Sequence, residues 1–267
     1  MGAEKEMSFL DHLEELRWHL VRSTICIMAV AIVLFIYQRT VYNEFLLAHL
    51  SPDFITYRWF CEAFASVGME SDFCNITFNA KLQSLSPTNQ LMNAMWSSFI
   101  LGLIISFPYI IWEMMRFITP GLTEKEQKKS KGFIVVATIL LILGLLFSYY
   151  IIVPMSVYFF YNYQITETIV NNFQFDSYIT LITNTLLGVS VVFELPLVVY
   201  FLTKFGLITP DFLKKYRKHA LVVVLIVSAI ITPPDITSQI IVAIPVLILY
   251  EVSIVVSRFL VKKQDKA

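Results

Sequence analysis

Three acidic residues stand where chemistry or binding could be done. Glu194 lies in the middle of a long apolar run, Val191-Val192-Phe193-Glu194-Leu195-Pro196. A charge at that depth in a bilayer costs about 2.5–3.5 kcal/mol on insertion scales, so this carboxyl calls for a partner, a wet cavity or a proton. Pro196 adds local polarity, because its missing N–H leaves a carbonyl one turn earlier without its donor. The structural alternative is a neutral carboxylic acid tying two helices together. Glu15 lies in an amphipathic stretch. At 100° per residue, Phe9, Leu13, Leu16 and Leu20 share one face, while Asp11, Glu15, Trp18 and Arg22 share the other. By spacing alone, Glu15 reads as a solvated carboxylate paired with His19 one turn on. Glu126, in Thr123-Glu124-Lys125-Glu126, reads first as the acidic half of a capping box.

Other groups are weaker candidates. Thr232, Asp235, Ser238 and Gln239 gather polar atoms beside Pro233-Pro234, where interfacial turn chemistry is the plain explanation. Cys61 and Cys74 share one long loop; a disulfide and two free thiols both fit an oxidising compartment. Cys26 sits in an apolar run as packing. His12 and His19 are seven residues apart, and His49 and His219 are distant, so no metal or nucleophilic constellation is legible. There is no P-loop and no G-x-G-x-x-G, so no nucleotide cofactor and no enzyme is implied.

The elements that position these residues are membrane helices. The chain has 267 residues, 57% of them hydrophobic and 15% charged, against about 25% charged in an ordinary soluble domain. Its formal net charge is zero, which offers nothing to nucleic acid. Six apolar segments are predicted: Val21 to Tyr37, Leu91 to Ile118, Phe133 to Val153 (ending near Pro154), Ile179 to Phe205, Ala220 to Ile231, and Ile240 to Val256. Backbone satisfaction in lipid makes them helices. The fold class is therefore all-α, a single six-helix transmembrane domain over 1–267. Residues 1–20 form an amphipathic N-terminal helix, 41–90 a large outer loop and 258–267 an inner tail. No A-x-A-like cleavage site follows the first segment, so it is expected to be a retained span.

Orientation follows from Lys and Arg. Lys125, Lys128, Lys129 and Lys131, then Lys214, Lys215, Arg217 and Lys218, then Arg258, Lys262 and Lys263 fall on one side. The other side has Arg39, Arg58 and Lys81. Both termini are thus expected inside. The last two spans are predicted to be short: Ala220 to Ile231 covers about 18 Å, against a hydrocarbon core of about 30 Å. Capping hydroxyls before proline are expected at Ser86-Pro87 and Thr209-Pro210, and Ser8 with Asp11 resembles another capping box.

Four stretches in register resemble the TatC family, the multispanning core of the twin-arginine protein translocase of the bacterial inner membrane. They are Met7-Ser8-Phe9-Leu10-Asp11-His12-Leu13-Glu14-Glu15-Leu16-Arg17, Phe117-Ile118-Thr119-Pro120-Gly121-Leu122, Gly188-Val189-Ser190-Val191-Val192-Phe193-Glu194-Leu195-Pro196, and Thr232-Pro233-Pro234-Asp235-Ile236-Thr237-Ser238-Gln239. The resemblance implies a receptor that binds Arg-Arg signal peptides of folded cargo at the inner face. It also implies recruitment of single-span TatA- and TatB-like partners, association with further copies of itself in the lipid bilayer, and use of the proton-motive force. Glu15 and Glu126 match the signal-binding carboxylates, with Arg17 beside Glu15 in the same motif. Glu194 matches the intramembrane glutamate, and Thr232 and Gln239 match a polar cluster where partner helices dock. The sequence departs from the family pattern at Glu113 and Met115, where Gln and Trp are usual, and at Trp18-His19, where basic residues are common. It departs again at Ala48-His49-Leu50, in place of a proline motif, and at Asn89, where an acidic residue is common. The rival class is a proton-coupled secondary transporter or channel with Glu194 as its ion site, but no internal repeat supports it.

Overall fold

The computed structural model describes residues 9–66, 74, 82–119, 130–163, 165–166, 172–231 and 236–264. The chain forms two compact units: Met1–Gln38 with Ala94–Ile139, and Arg39–Asn93 with Leu140–Ala267. The helices are α1 (Phe9–Ile36), α2 (Ile55–Ser66), α3 (Asn89–Ile118), α4 (Ser130–Phe147), α5 (Val153–Asn162), α6 (Phe175–Phe193), α7 (Leu195–Lys204), α8 (Pro210–Lys215), α9 (Arg217–Ile231) and α10 (Ile236–Gln264). Two-residue strands, β1 (Leu82–Gln83) and β2 (Phe173–Gln174), pair in parallel. Among the described residues, five helical stretches are long and apolar enough to cross a bilayer: Leu13–Ile36, Asn89–Ile118, Gly132–Asn162, Phe175–Lys204 and Gln239–Lys262. The chain is an all-α, multi-pass membrane protein.

In the first unit the amphipathic stretch and the first span are one helix. Neither glycine nor proline interrupts Phe9 to Ile36, so nothing separates the stretch from Phe9 to Leu20 from the apolar run behind it. Its hydroxyls turn back onto the helix: Ser23 Oγ donates to the His19 carbonyl and Thr24 Oγ1 to the Leu20 carbonyl, both at 2.9 Å. Gly102 of α3 lets the two backbones approach. A Cβ there would stand 3.1 Å from Ala31 Cβ.

The second unit shows how a proline is absorbed. Pro154 was expected to end the third span. Instead the chain continues through a π-helical turn, Ser148–Ile152, into α5. Pro154 has no N–H for the carbonyl four or five residues back. The segment after α1 supplies the missing donors. His49 Nε2 donates to the Tyr149 carbonyl (3.0 Å) and Thr56 Oγ1 to the Tyr150 carbonyl (2.5 Å). The Tyr57 hydroxyl lies 3.0 Å from the His49 carbonyl and 3.1 Å from that of Pro154. Tyr178 and Tyr149 donate to the Leu46 and Phe45 carbonyls in turn. Cys61 and Cys74 are joined in a disulfide. Burial holds the His49 imidazole well below the usual range, at about 4.

Two further expectations are corrected. Of the last two spans, only α9 is short, at 15 residues or about 22 Å. α10 has 29 residues, about 43 Å, because the helix continues through polar residues on both sides of the run read from sequence and Pro245 is accommodated within it. Ser86-Pro87 lies in a turn ahead of α3 rather than at its cap. Ser86 Oγ pairs with Thr88 Oγ1 at 3.1 Å, and the Thr88 carbonyl accepts the Met92 N–H at 3.0 Å. Thr209 caps α8 through Phe212 N–H, at 3.2 Å. The Ser8–Asp11 and Thr123–Glu126 boxes lie outside the described residues or side chains.

The end of the chain packs on α7. Thr203 and Ser257 hydroxyls meet at 2.9 Å in a buried contact. Val199, Leu213, Tyr250 and Ile254 form the surrounding core, and the Tyr250 hydroxyl donates to the Leu213 carbonyl at 2.8 Å. Arg217 at the start of α9 is 2.6 Å from Glu251 of α10.

Candidate functional site

Glu194 occupies the break between α6 and α7. Pro196 gives no N–H to the turn before it, and the helix tightens there. Glu194 N–H bonds the Val191 carbonyl at 3.1 Å, and its own carbonyl accepts from Leu197 (2.9 Å) and Val198 (3.1 Å). The side chain is 5% exposed, and neither carboxylate oxygen has a hydrogen-bond partner among the described residues. Phe193 and Leu195, on either side, belong to an apolar cluster with Ile152, Val189, Val242 and Val246. Ser190, one turn before Glu194, and Thr185, both on α6, also carry buried hydroxyls without a partner among the described residues. α6 therefore carries buried polar atoms that its own unit leaves unused, and an incoming polar side chain can bond them.

Gln239 lies in the same unit, in the first turns of α10, and its Nε2 donates to the Leu225 carbonyl of α9 at 3.1 Å. Gly188 of α6 faces Ile231 at the end of α9. A Cβ there would stand 2.7 Å from Ile231 Cγ2, so only glycine permits that approach. Thr232 lies outside the described residues.

In the first unit Glu15 is exposed on α1. Arg17 is exposed, 3.9 Å from Glu14, with its guanidinium 5.8 Å from the Trp18 ring centroid. Glu126 lies outside the described residues. His19 does not serve Glu15. Its Nδ1–H donates to Glu113 Oε2 on α3. Glu113 is 1% exposed. Its other oxygen accepts from Tyr109 OH at 3.0 Å and lies 3.7 Å from Arg116. Arg116 sits over the Trp112 ring at 4.9 Å. In the sequence, Glu113 stands out only as a departure from the family pattern. An acidic residue near the end of an apolar run was the signal that called for a partner. Among the described residues no three His, Cys, Asp or Glu side chains gather as a metal site would require.

Comparison with known proteins places this architecture. The family model described as Sec-independent protein translocase protein (TatC) matches residues 11–245. The chain is 40% identical over 263 residues to the TatC protein of Blattabacterium sp. subsp. Periplaneta americana, covering 98% of each chain. It is 31% identical over 263 residues to TatCy of Bacillus subtilis, covering 98% of this chain and 93% of that one. A crystal structure of the twin-arginine translocase receptor TatC superposes with a TM-score of 0.72 at 29% identity, covering 94% of this chain and 99% of that one.

Proposed function

Since the chain belongs to the TatC family of Sec-independent protein translocase proteins, we propose that it is the receptor core of a twin-arginine translocase in the bacterial inner membrane. In this reading it has six spans and both termini inside, an orientation supported by the Lys/Arg asymmetry. Glu15 and Glu126, with Arg17 nearby, bind the paired arginines of a signal peptide. Guanidinium and carboxylate pair bidentately, so two fixed carboxylates on separate inner segments suit two adjacent arginines. Transport of the folded cargo draws on the proton-motive force.

Single-span TatA- and TatB-like partners dock in the membrane at Glu194, with Thr232 and Gln239 contributing. The observation that carries this part is the buried Glu194 carboxyl, with both oxygens unbonded among the described residues. A protonated carboxyl donates one hydrogen bond and still accepts another, which suits a polar side chain on an arriving helix. A proton-coupled transporter would use the same carboxyl. However, the apolar groove of about 650 Å³ lined by Trp59, Phe60, Leu143, Leu146 and Tyr150 brings no set of convergent polar groups that a solute would need.

Co-purification tests the reading. The detergent-solubilised chain should retain a folded cargo bearing an Arg-Arg signal and lose it when the pair is changed to Lys-Lys. Equal retention of both cargoes would overturn the receptor assignment. Cysteines placed at Asp72 and Glu167 should react with an impermeant reagent from outside, and one at Lys128 should not. Outside labelling at 128 would contradict the orientation.

A further inference from the structure

α1 carries the carboxylate read above as a ligand for the signal's arginines, yet little of this helix is packed. From Leu13 to Ile36, Ser23 and Ala31 are its buried residues. Its contacts to α3 fall at two levels, and at the one nearer Glu15 the His19 ring also meets Phe117 edge-on, with centroids 6.1 Å apart. In the middle of the helix, the close approach of Gly102 and Ala31 sets the spacing of the backbones but bears on small, featureless surfaces. Nearer Glu15 the contact is polar and directional, from His19 Nδ1 to the Glu113 carboxylate. That carboxylate is fixed in turn, by the Tyr109 hydroxyl at 3.0 Å and by Arg116 at 3.7 Å. Because its oxygens are engaged within the protein and it is 1% exposed, Glu113 is suited to orient a neighbour rather than to take a ligand.

His19 follows Glu15 by four residues. Four positions turn a helix through about 40° and raise it about 6 Å, so the two side chains leave α1 on one face. Whatever fixes the rotation of α1 at His19 fixes the direction in which Glu15 is presented.

We propose that the His19–Glu113 contact is a positioning latch for arginine recognition, holding α1 at the rotation that aims Glu15 at the signal peptide without touching the peptide itself. This rests on the reading of Glu15 as an arginine ligand. A bidentate guanidinium pair depends on the orientation of its carboxylate, and a helix free to rotate loses affinity through lost preorganisation.

The test is the affinity of a fluorescent twin-arginine peptide for the full-length, detergent-solubilised chain. Glu113→Ala and His19→Ala should each weaken binding about tenfold. The double variant Glu15→Ala/Glu113→Ala should bind no more weakly than Glu15→Ala alone, because the latch acts only through Glu15. Spin labels at Leu13 and Met114, both exposed, in a Cys26→Ser background should report a broader distance distribution in Glu113→Ala with no peptide present. If Glu113→Ala does not fold, His19→Ala empties the other half of the contact and reads the same quantities. An additive loss in the double variant would overturn the proposal. So would unchanged affinity in Glu113→Ala and His19→Ala when Glu15→Ala is weak. If Glu15→Ala itself binds as the parent does, the arginine-ligand reading falls, and this pattern differs from both of the others.

Discussion

Glu113 and Glu194 are both buried carboxylates in apolar helices, 1% and 5% exposed, and the protein treats them in opposite ways. Glu113 is enclosed by His19, Tyr109 and Arg116 of its own unit. Glu194 has apolar neighbours, and its two oxygens are unbonded among the described residues. Depth in an apolar run is therefore a poor guide to function by itself. What separates the two residues is the account of their hydrogen bonds. A satisfied buried carboxylate belongs to the architecture, whereas an unsatisfied one implies a group that arrives from elsewhere.

The largest effect expected from this contrast is on partner recruitment. Glu194→Ala should abolish recovery of single-span partners and export of cargo, while Glu194→Gln, which keeps a donor and an acceptor, should preserve both. Pull-down and an export assay check this. A Gln variant as damaged as the Ala variant would mean that charge or proton release is needed, and the neutral-clasp reading would fail. Signal-peptide affinity should be unchanged in either.

A third buried titratable group sharpens the comparison. His49 is buried like Glu113, but as an uncharged imidazole whose Nε2 donates to the Tyr149 carbonyl. Its folded pKa of about 4 lies below the ordinary value of about 6.5, so between those pH values the unfolded chain holds a proton that the folded chain does not. Stability is then full above about pH 6.5 and falls as the pH drops toward 4, by at most about 3 kcal/mol. Thermal unfolding of the parent from pH 7 to 4.5 should show this slope, and His49→Gln should flatten it. Equal slopes would remove His49 as the cause.

The smallest effects expected are on resting stability, and they should differ between the two carboxylates. Glu113→Leu orphans the donors around it and should cost about 1–3 kcal/mol. Glu194→Leu removes a group with nothing to lose and should be neutral or stabilising. Unfolding in detergent measures both. Equal destabilisation would show that Glu194 has a partner within the chain.

Much of this is legible in the sequence. Long apolar runs and clustered Lys and Arg fixed the helical, multi-pass architecture, because lipid leaves the backbone no alternative. Glu194 was visible because a single carboxyl in an apolar run is costly. Contacts across long sequence separations were not legible. Local spacing offered Glu15 as the partner of His19, and the actual partner lies 94 residues away. Nor does the sequence show that the third span continues through a π-helical turn past Pro154 rather than ending near it. The donors that rescue the unpaired carbonyls before it, His49 and Thr56, come from the segment about a hundred residues earlier. The length of α10 was underestimated because its polar ends resemble flanks.

The most direct test of the receptor assignment is the affinity of the solubilised chain for a twin-arginine peptide, measured by titration for the parent and for Glu15→Ala, Glu126→Ala and the double variant. Each lost charged contact should cost about 1.5–3 kcal/mol, with membrane insertion unchanged and with a Lys-Lys peptide binding weakly to all four proteins. A double variant that binds the Arg-Arg peptide as tightly as the parent would contradict it.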